Sequence, residues 1–180
     1  MELQLFSYIE ETLKYYDMHL GGYEYAMGQI QRVFKELMES KQDVVISFSS
    51  RIKTRKSLQE KLIRNQFYLD YASGEESILN LHDLIGITIQ CRFIRNEHEL
   101  YQYLLKQFES TEEGYAQCKV DRNTFLNIKM PQPQYQRNGF TIYRMDGYYM
   151  FNGNRINFEL QIKSLVHNFW SDIEHQVVYK

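Results

Sequence analysis

Three groups of side chains in this 180-residue chain have the types and spacing to do chemistry. The first is Ser50-Arg51-Ile52-Lys53-Thr54-Arg55-Lys56, followed by Lys61. Arg51 and Lys53 stand two apart at the end of a predicted strand, so they project from the same face. A helix opens directly afterwards and adds unpaired N–H groups and a positive dipole end. Such an arrangement suits a polyphosphate, and a solvated basic turn reads the same way from spacing alone. The second is the pair Asp83 and Glu159, one at a strand entry and one on a strand's polar face beside Gln161 and Lys163. Two carboxylates reaching one sheet edge suit a hard divalent cation such as Mg²⁺, and two ordinary surface acids are the alternative. His82-Asp83 also spells the dipeptide of metal-dependent HD phosphohydrolases, but the further His and Asp those sites require are missing, so it is read as chance. The third is the aromatic run Phe140, Tyr143, Tyr148, Tyr149 and Phe151. An exposed ring beside a phosphate site can stack on a base, whereas packing accounts for all but one of these. No Ser/His/Asp or Cys/His arrangement, Walker loop, dinucleotide fingerprint or zinc spacing is present.

Positioning these groups requires a scaffold, and the chain's periodicities outline one. The first 40 residues read as helix: Phe6, Ile9, Leu13 and Tyr16, then Ile30, Val33, Phe34 and Leu37, recur at helical spacing, with Gly21-Gly22 as the break between two helices. Val44 to Lys53 reads as a strand. Ser57-Leu58-Gln59-Glu60 matches a capping box and opens a helix to about Leu69. Ser73 to Leu81 is a loop or short helical turn. Strict alternation from Ile87 to Phe93 marks a half-buried strand, and Glu97 to Phe108 an amphipathic helix. Thr111 to Gln136, with Pro131 and Pro133, reads as irregular apart from a strand near Leu126 to Met130. Phe140–Phe151 and Arg155–Lys163 flank Asn152-Gly153, a strong hairpin signal, with Asp146-Gly147 as a competing turn or bulge. A last helix from Leu165 sets Leu165, Phe169, Ile173 and Val177 on one stripe. The order predicts one α+β domain over residues 1–180, a mixed β-sheet flanked by helices, with residues 1–40 packed on it.

Composition narrows the function. Twenty-one basic against 23 acidic residues leave a net charge of −2, which excludes holding polyanions by bulk charge. Two cysteines exclude a disulfide scaffold. No apolar run approaches the roughly 20 residues of a membrane span. Glu2, Glu10 and Glu11 stand where a signal peptide needs positive charge, so a cytoplasmic protein with no membrane partner is expected.

Taken together, these segments resemble the synthetase domain of the RelA/SpoT-homologue family in its small form, over about residues 45 to 180. Ser50-Arg51-Ile52-Lys53 through Ser57-Leu58-Gln59-Glu60-Lys61-Leu62 is similar to the family's ATP-binding segment. Leu81-His82-Asp83-Leu84-Ile85-Gly86-Ile87 resembles its Asp-containing strand entry. Phe158-Glu159-Leu160-Gln161-Ile162-Lys163-Ser164 resembles its Glu-Ile-Gln-Ile-Arg-Thr motif, and Asn168-Phe169-Trp170, Ile173-Glu174-His175 and Tyr179-Lys180 follow at the family's spacing.

The resemblance implies a nucleotidyltransferase-like sheet that moves pyrophosphate from ATP to the 3′-hydroxyl of GDP or GTP, as in stringent-response alarmone synthesis. On matching positions, Arg51, Lys53, Lys56 and Lys61 would bind ATP. Asp83 and Glu159 would bind Mg²⁺, and Glu159 would take the attacking hydroxyl's proton. Phe140, Gln161, Lys163, Asn168, Glu174 and His175 would line the acceptor site. Several positions depart from the pattern. Asn138-Gly139-Phe140-Thr141-Ile142-Tyr143-Arg144 replaces the family's Gly-Tyr-Arg-Ser-Leu-His loop, so Phe140 keeps the stacking ring and loses the hydroxyl. Thr88 stands where an Arg is usual, and Lys163 replaces an Arg, removing bidentate phosphate geometry. The family's C-terminal, oligomer-supporting helices are expected to be absent after Lys180. The rewritten loop leaves open a toxin-like relative with an antitoxin partner that modifies an adenine nucleotide or the tRNA 3′ end, and also a catalytically weak binding module.

Overall fold

The computed structural model describes residues 2–111, 114–136 and 139–178, without the side chains of 2–4, 174–176 and 178. The chain opens with one continuous helix, α1 (Glu2–Leu37). The expected break at Gly21-Gly22 does not occur. Gly21 faces open space, and the ring of Phe151 approaches to within 3.6 Å of where a Cβ on Gly22 would stand. Two glycines cost about 1 kcal/mol each against alanine in a helix, and burial of Ile9, Leu13, Tyr16, Tyr23, Ile30, Val33 and Phe34 outweighs that. Phe6, grouped with this stripe by spacing, is exposed instead.

The strand β1 (Val45–Ile52) leads into α2 (Arg55–Arg64). Thr54, not Ser57, caps this helix, its Oγ1 accepting from the Ser57 N–H at 3.2 Å. The helix stops five residues short of Leu69 because Gln66 turns left-handed (φ 54°) before a separate turn, α3 (Phe67–Asp70). Ser73 caps α4 (Gly74–Leu79). Then come β2 (Ile85–Cys91) and α5 (Ile94–Leu105); Phe108, expected to end that helix, begins a strand.

After β3 (Phe108–Ser110), the region from Thr111 to Gln136, expected to hold one strand near Leu126 to Met130, contains three short ones: β4 (Tyr115–Cys118), β5 (Thr124–Asn127) and β6 (Gln134–Tyr135). The long hairpin β7 (Thr141–Phe151) and β8 (Asn154–Ser164) follows. Its turn places Asn152 (φ 50°) and Gly153 (φ 81°) in the left-handed region, as a two-residue primed turn demands. Asp146-Gly147 is neither turn nor bulge but lies inside β7. A Cβ on Gly147 would collide with the Phe158 ring and the Phe125 carbonyl, so glycine is there to admit a neighbour.

The strands form one sheet in the order β1-β2-β8-β7-β5-β4-β3, with β6 on β7; β2 and β8 run parallel and β1–β2 and β7–β8 antiparallel. Along β8, Ile156, Phe158, Leu160 and Ile162 are buried, and Asn157, Glu159, Gln161 and Lys163 are half-buried on the other face. The core lies on the first face, where Phe34 of α1 meets Phe158 edge-on at 5.9 Å and Leu100 and Leu104 of α5 are buried. The polar residues of the central strands are thereby left on the opposite face. The last helix, α6 (Leu165–Val178), continues straight from β8. Its expected apolar stripe is not packed away: Leu165, Phe169 and Val177 are exposed. No helix among the described residues is long and apolar enough to cross a membrane.

Candidate functional site

The polar face of the central sheet is ordered in rows by strand register. Arg51 stands opposite Gly86, Gly86 opposite Glu159, and Glu159 opposite Asp146. One pleat along, Ser49, Thr88, Gln161 and Arg144 form the next row. Because side chains alternate along a strand, these residues point to the same side. Gly86 makes room for Arg51, whose Cγ and Nε would lie 3.3 Å from a Cβ there.

Asp83 anchors one end. Its Oδ2 lies 2.9 Å from Lys53 Nζ and its Oδ1 accepts from Lys61 Nζ at 2.7 Å. Lys53 arrives from the end of β1, where its N–H donates to the Leu84 carbonyl, and Lys61 from α2. Burial pushes the Asp83 carboxyl up, but the two ammonium hydrogen bonds and charges prevail and hold it below the usual carboxylate range. Lys56, grouped with these cations by sequence, is not brought to them: its side chain is 87% exposed and its partner is Glu60 on its own helix.

Glu159 is held at both oxygens. Gln161 Nε2 donates to Oε1, and Arg144 Nε lies 3.7 Å from Oε2 as an ion pair without hydrogen-bond alignment. Lys163 sits further along β8; burial lowers its ammonium pKa, with Arg51's charge acting the same way and Glu159, Asp172 and Glu97 opposing. Phe140 does not stand alone as a stacking platform. Its ring lies 5.8 Å from Trp170 in a stacked pair and 5.6 Å from His167 edge-on, and with Lys163 these line a shallow cleft. Asn168 is half-buried on α6. The side chains of Glu174 and His175, and Tyr179 and Lys180 altogether, lie outside the described residues.

Asp83 and Glu159 both carry hard oxygen donors, but from separate places: Asp83 sits in the turn before β2, and Glu159 stands opposite Gly86 on β8. Among the described residues no three His, Cys, Asp or Glu side chains gather round one point. This donor set suits Mg²⁺ that keeps water and phosphate oxygens as its other ligands, and not a closed protein cage.

Four contributors were given no role at the site from the sequence. Arg144 and Asp146 share the polar side of β7 at period-two spacing, a signal masked by the turn chemistry of Asp146-Gly147. His82 Nδ1 lies 3.6 Å from Asp146 Oδ2. Buried Glu97 of α5 accepts the Ser164 N–H at 2.5 Å and lies 2.7 Å from His167 Nδ1, tying down the start of α6. No local pattern announces a contact spanning 67 residues. The other rings of the aromatic run pack as expected: Tyr143, Tyr148 and Tyr149 are buried, and Phe151 lies 4.8 Å from Tyr25.

Known proteins resemble this chain in sequence and in fold. Residues 50–180 match the family described as a region found in RelA / SpoT proteins. GTP pyrophosphokinase YwaC of Bacillus subtilis (strain 168) is 28% identical over 131 residues, 73% of this chain and 57% of that relative, so the chain spans little more than half of its length. The fold is that of small alarmone synthetase 1 from Bacillus subtilis bound to its product pppGpp: TM-score 0.66 at 21% identity, over 93% of this chain and 82% of that one. The same synthetase bound to AMPCPP gives 0.63 at 21% identity, over 92% and 79%. Since the matched region runs from the end of β1 through α6, and takes in the charged site residues from Arg51 to Lys163, this chain belongs to the RelA/SpoT family.

Proposed function

We propose that the chain is a pyrophosphokinase that transfers the β,γ-pyrophosphoryl group of ATP to the 3′-hydroxyl of GDP or GTP, making (p)ppGpp. The observation that carries this reading is the Lys53–Asp83–Lys61 cluster beside Arg51, with Glu159 on the same side of the sheet. Family membership supports it, as do the nucleotides named in the two synthetase structures. Arg51, Lys53 and Lys61 are the donors for the triphosphate. Asp83 and Glu159 would hold Mg²⁺, which when bound neutralises charge on the phosphate oxygens. The acceptor's 3′-oxygen bonds to the β-phosphorus, the bond from that phosphorus to the α,β-bridging oxygen breaks, AMP leaves with the electron pair, and the hydroxyl proton passes to Glu159. Aligning reactants and spreading phosphate charge supply most of the rate in such transfers. A cytoplasmic location, where ATP and GTP occur, goes with this reading.

A second reading keeps the chemistry and changes the acceptor to an adenine nucleotide or a tRNA 3′ end, with an antitoxin as partner. The packing of Phe140 on Trp170 and His167 favours it, since the stacking ring is already engaged. Incubating ATP labelled in its β-phosphate with GDP, GTP, ADP or tRNA separates the two. Label is expected in the guanosine product with one AMP released per transfer. Label in ADP or tRNA selects the second reading, and no AMP release with any acceptor refutes both. In the same assay Glu159→Gln should cut turnover by about 10²–10⁴-fold.

A further inference from the structure

The approach to Glu159 from β7 is built with more care than a surface strand requires. Asp146 stands directly opposite Glu159 in register, and like charges so placed repel. Arg144, one pleat along, supplies the cation that lies 3.7 Å from Glu159 Oε2. The backbone of Arg144 is itself gripped by side chains from β6 and the segment just before it. Gln132 Nε2 donates to the Arg144 carbonyl at 2.6 Å while Gln132 Oε1 accepts the Arg144 N–H at 3.0 Å, and Gln134 Nε2 donates to the same carbonyl at 3.0 Å. One side-chain amide thus does at Arg144 what a neighbouring strand would do, next to where β6 pairs with Thr141 and Ile142. Gln161 holds the other oxygen of Glu159.

We infer that Gln132 is a positioning residue for the transfer: it fixes the β7 backbone at Arg144, so that the guanidinium holds Glu159 towards the acceptor hydroxyl and away from Asp146. This rests on the pyrophosphate-transfer reading. An arginine suits the task, since it keeps its charge at any working pH and its planar group has donors left for a phosphate oxygen once Glu159 is engaged. A single side-chain amide making both hydrogen bonds sets direction as well as distance.

The test is steady-state kinetics of the purified chain with ATP and whichever acceptor it uses. Gln132→Ala should lower kcat about 10-fold or more, as small misplacements in a reacting centre do, while the KM for ATP stays within about twofold because Arg51, Lys53 and Lys61 are untouched. Gln132→Glu keeps the acceptor oxygen, loses the donor, and should fall between. Arg144→Lys should recover more turnover than Arg144→Gln, a ranking that a merely structural role would not produce. Should Gln132→Ala fail to fold, the two Arg144 variants and Gln132→Glu decide alone. If the Gln132 variants lose thermal stability but keep kcat, or if Arg144→Lys and Arg144→Gln behave alike, the inference is wrong while the transfer reading stands. If the unaltered chain releases no AMP with any acceptor, the reading fails and this inference with it.

Discussion

Asp83 concentrates the electrostatics of the site in one carboxylate. Its folded pKa is lowered, so it contributes stability that is present above its unfolded value of about 3.9 and is lost as pH falls through the folded value. Asp83→Asn should therefore lower Tm at neutral pH, where Lys53 and Lys61 lose their shared partner, and flatten the fall of Tm below about pH 4. Melting curves from neutral to strongly acidic pH check this, and an unchanged acid slope would remove Asp83 as its source. Phe140 poses the opposite question, whether an engaged ring still serves an incoming base. If it does, Phe140→Ala should raise the acceptor KM about 10-fold and leave that for ATP near its starting value. Equal effects on both would mean that the ring only packs against Trp170 and His167. Arg51, Lys53 and Glu159 were legible as candidates because strand alternation reports the face directly, whereas Asp83 in the turn before β2 and Lys61 on α2 were grouped with them by neighbourhood and resemblance. Arg144 and Glu97 act through partners on other elements, which no local spacing encodes.

At the scale of elements, legibility followed the length and contrast of the pattern. The strands β2 and β8 are seven and eleven residues long and alternate, β8 from Arg155 on, between a packed and a polar face, so that their sides are legible in the sequence. The strands β3 to β6 are two to four residues long, too short for alternation to register. Glycine misled twice, since its local permissiveness reads as a break wherever tertiary contact is unknown. Gly21-Gly22 is helix interior and Gly147 is strand interior. Their roles differ in a measurable way. Gly21→Ala meets nothing within 4 Å and should stabilise by about 1 kcal/mol, whereas Gly147→Ala must displace the Phe125 backbone and the Phe158 ring and should cost about 1–3 kcal/mol. Denaturant titration of the two variants gives the comparison, and a neutral Gly147→Ala would show that β5 and β8 can give way around it.

Over the whole molecule, the net charge of −2 conceals a local excess of the other sign. Arg51, Lys53, Lys61, Arg144 and Lys163 gather with Asp83, Glu159 and Asp146 across the central strands, and Asp172 and Glu97 act on Lys163 from the helices beside them. Burial lowers the ammonium pKa of Lys163, so part of this charge is held at a cost that a polyanion would relieve. An anion drawn by such a patch should respond to salt locally and not in the way of a protein that coats nucleic acid with many phosphate contacts. Raising ionic strength from about 0.05 to 0.5 M shortens the screening length from roughly 14 to 4 Å. The thermal stabilisation given by a fixed ATP concentration should shrink over that range, as ligand linkage requires when Kd rises. Arg51→Ala and Lys53→Ala should each weaken both the stabilisation and its salt dependence. Salt-insensitive stabilisation by ATP would place the nucleotide away from these cations, and with it the site from which the transfer has been argued.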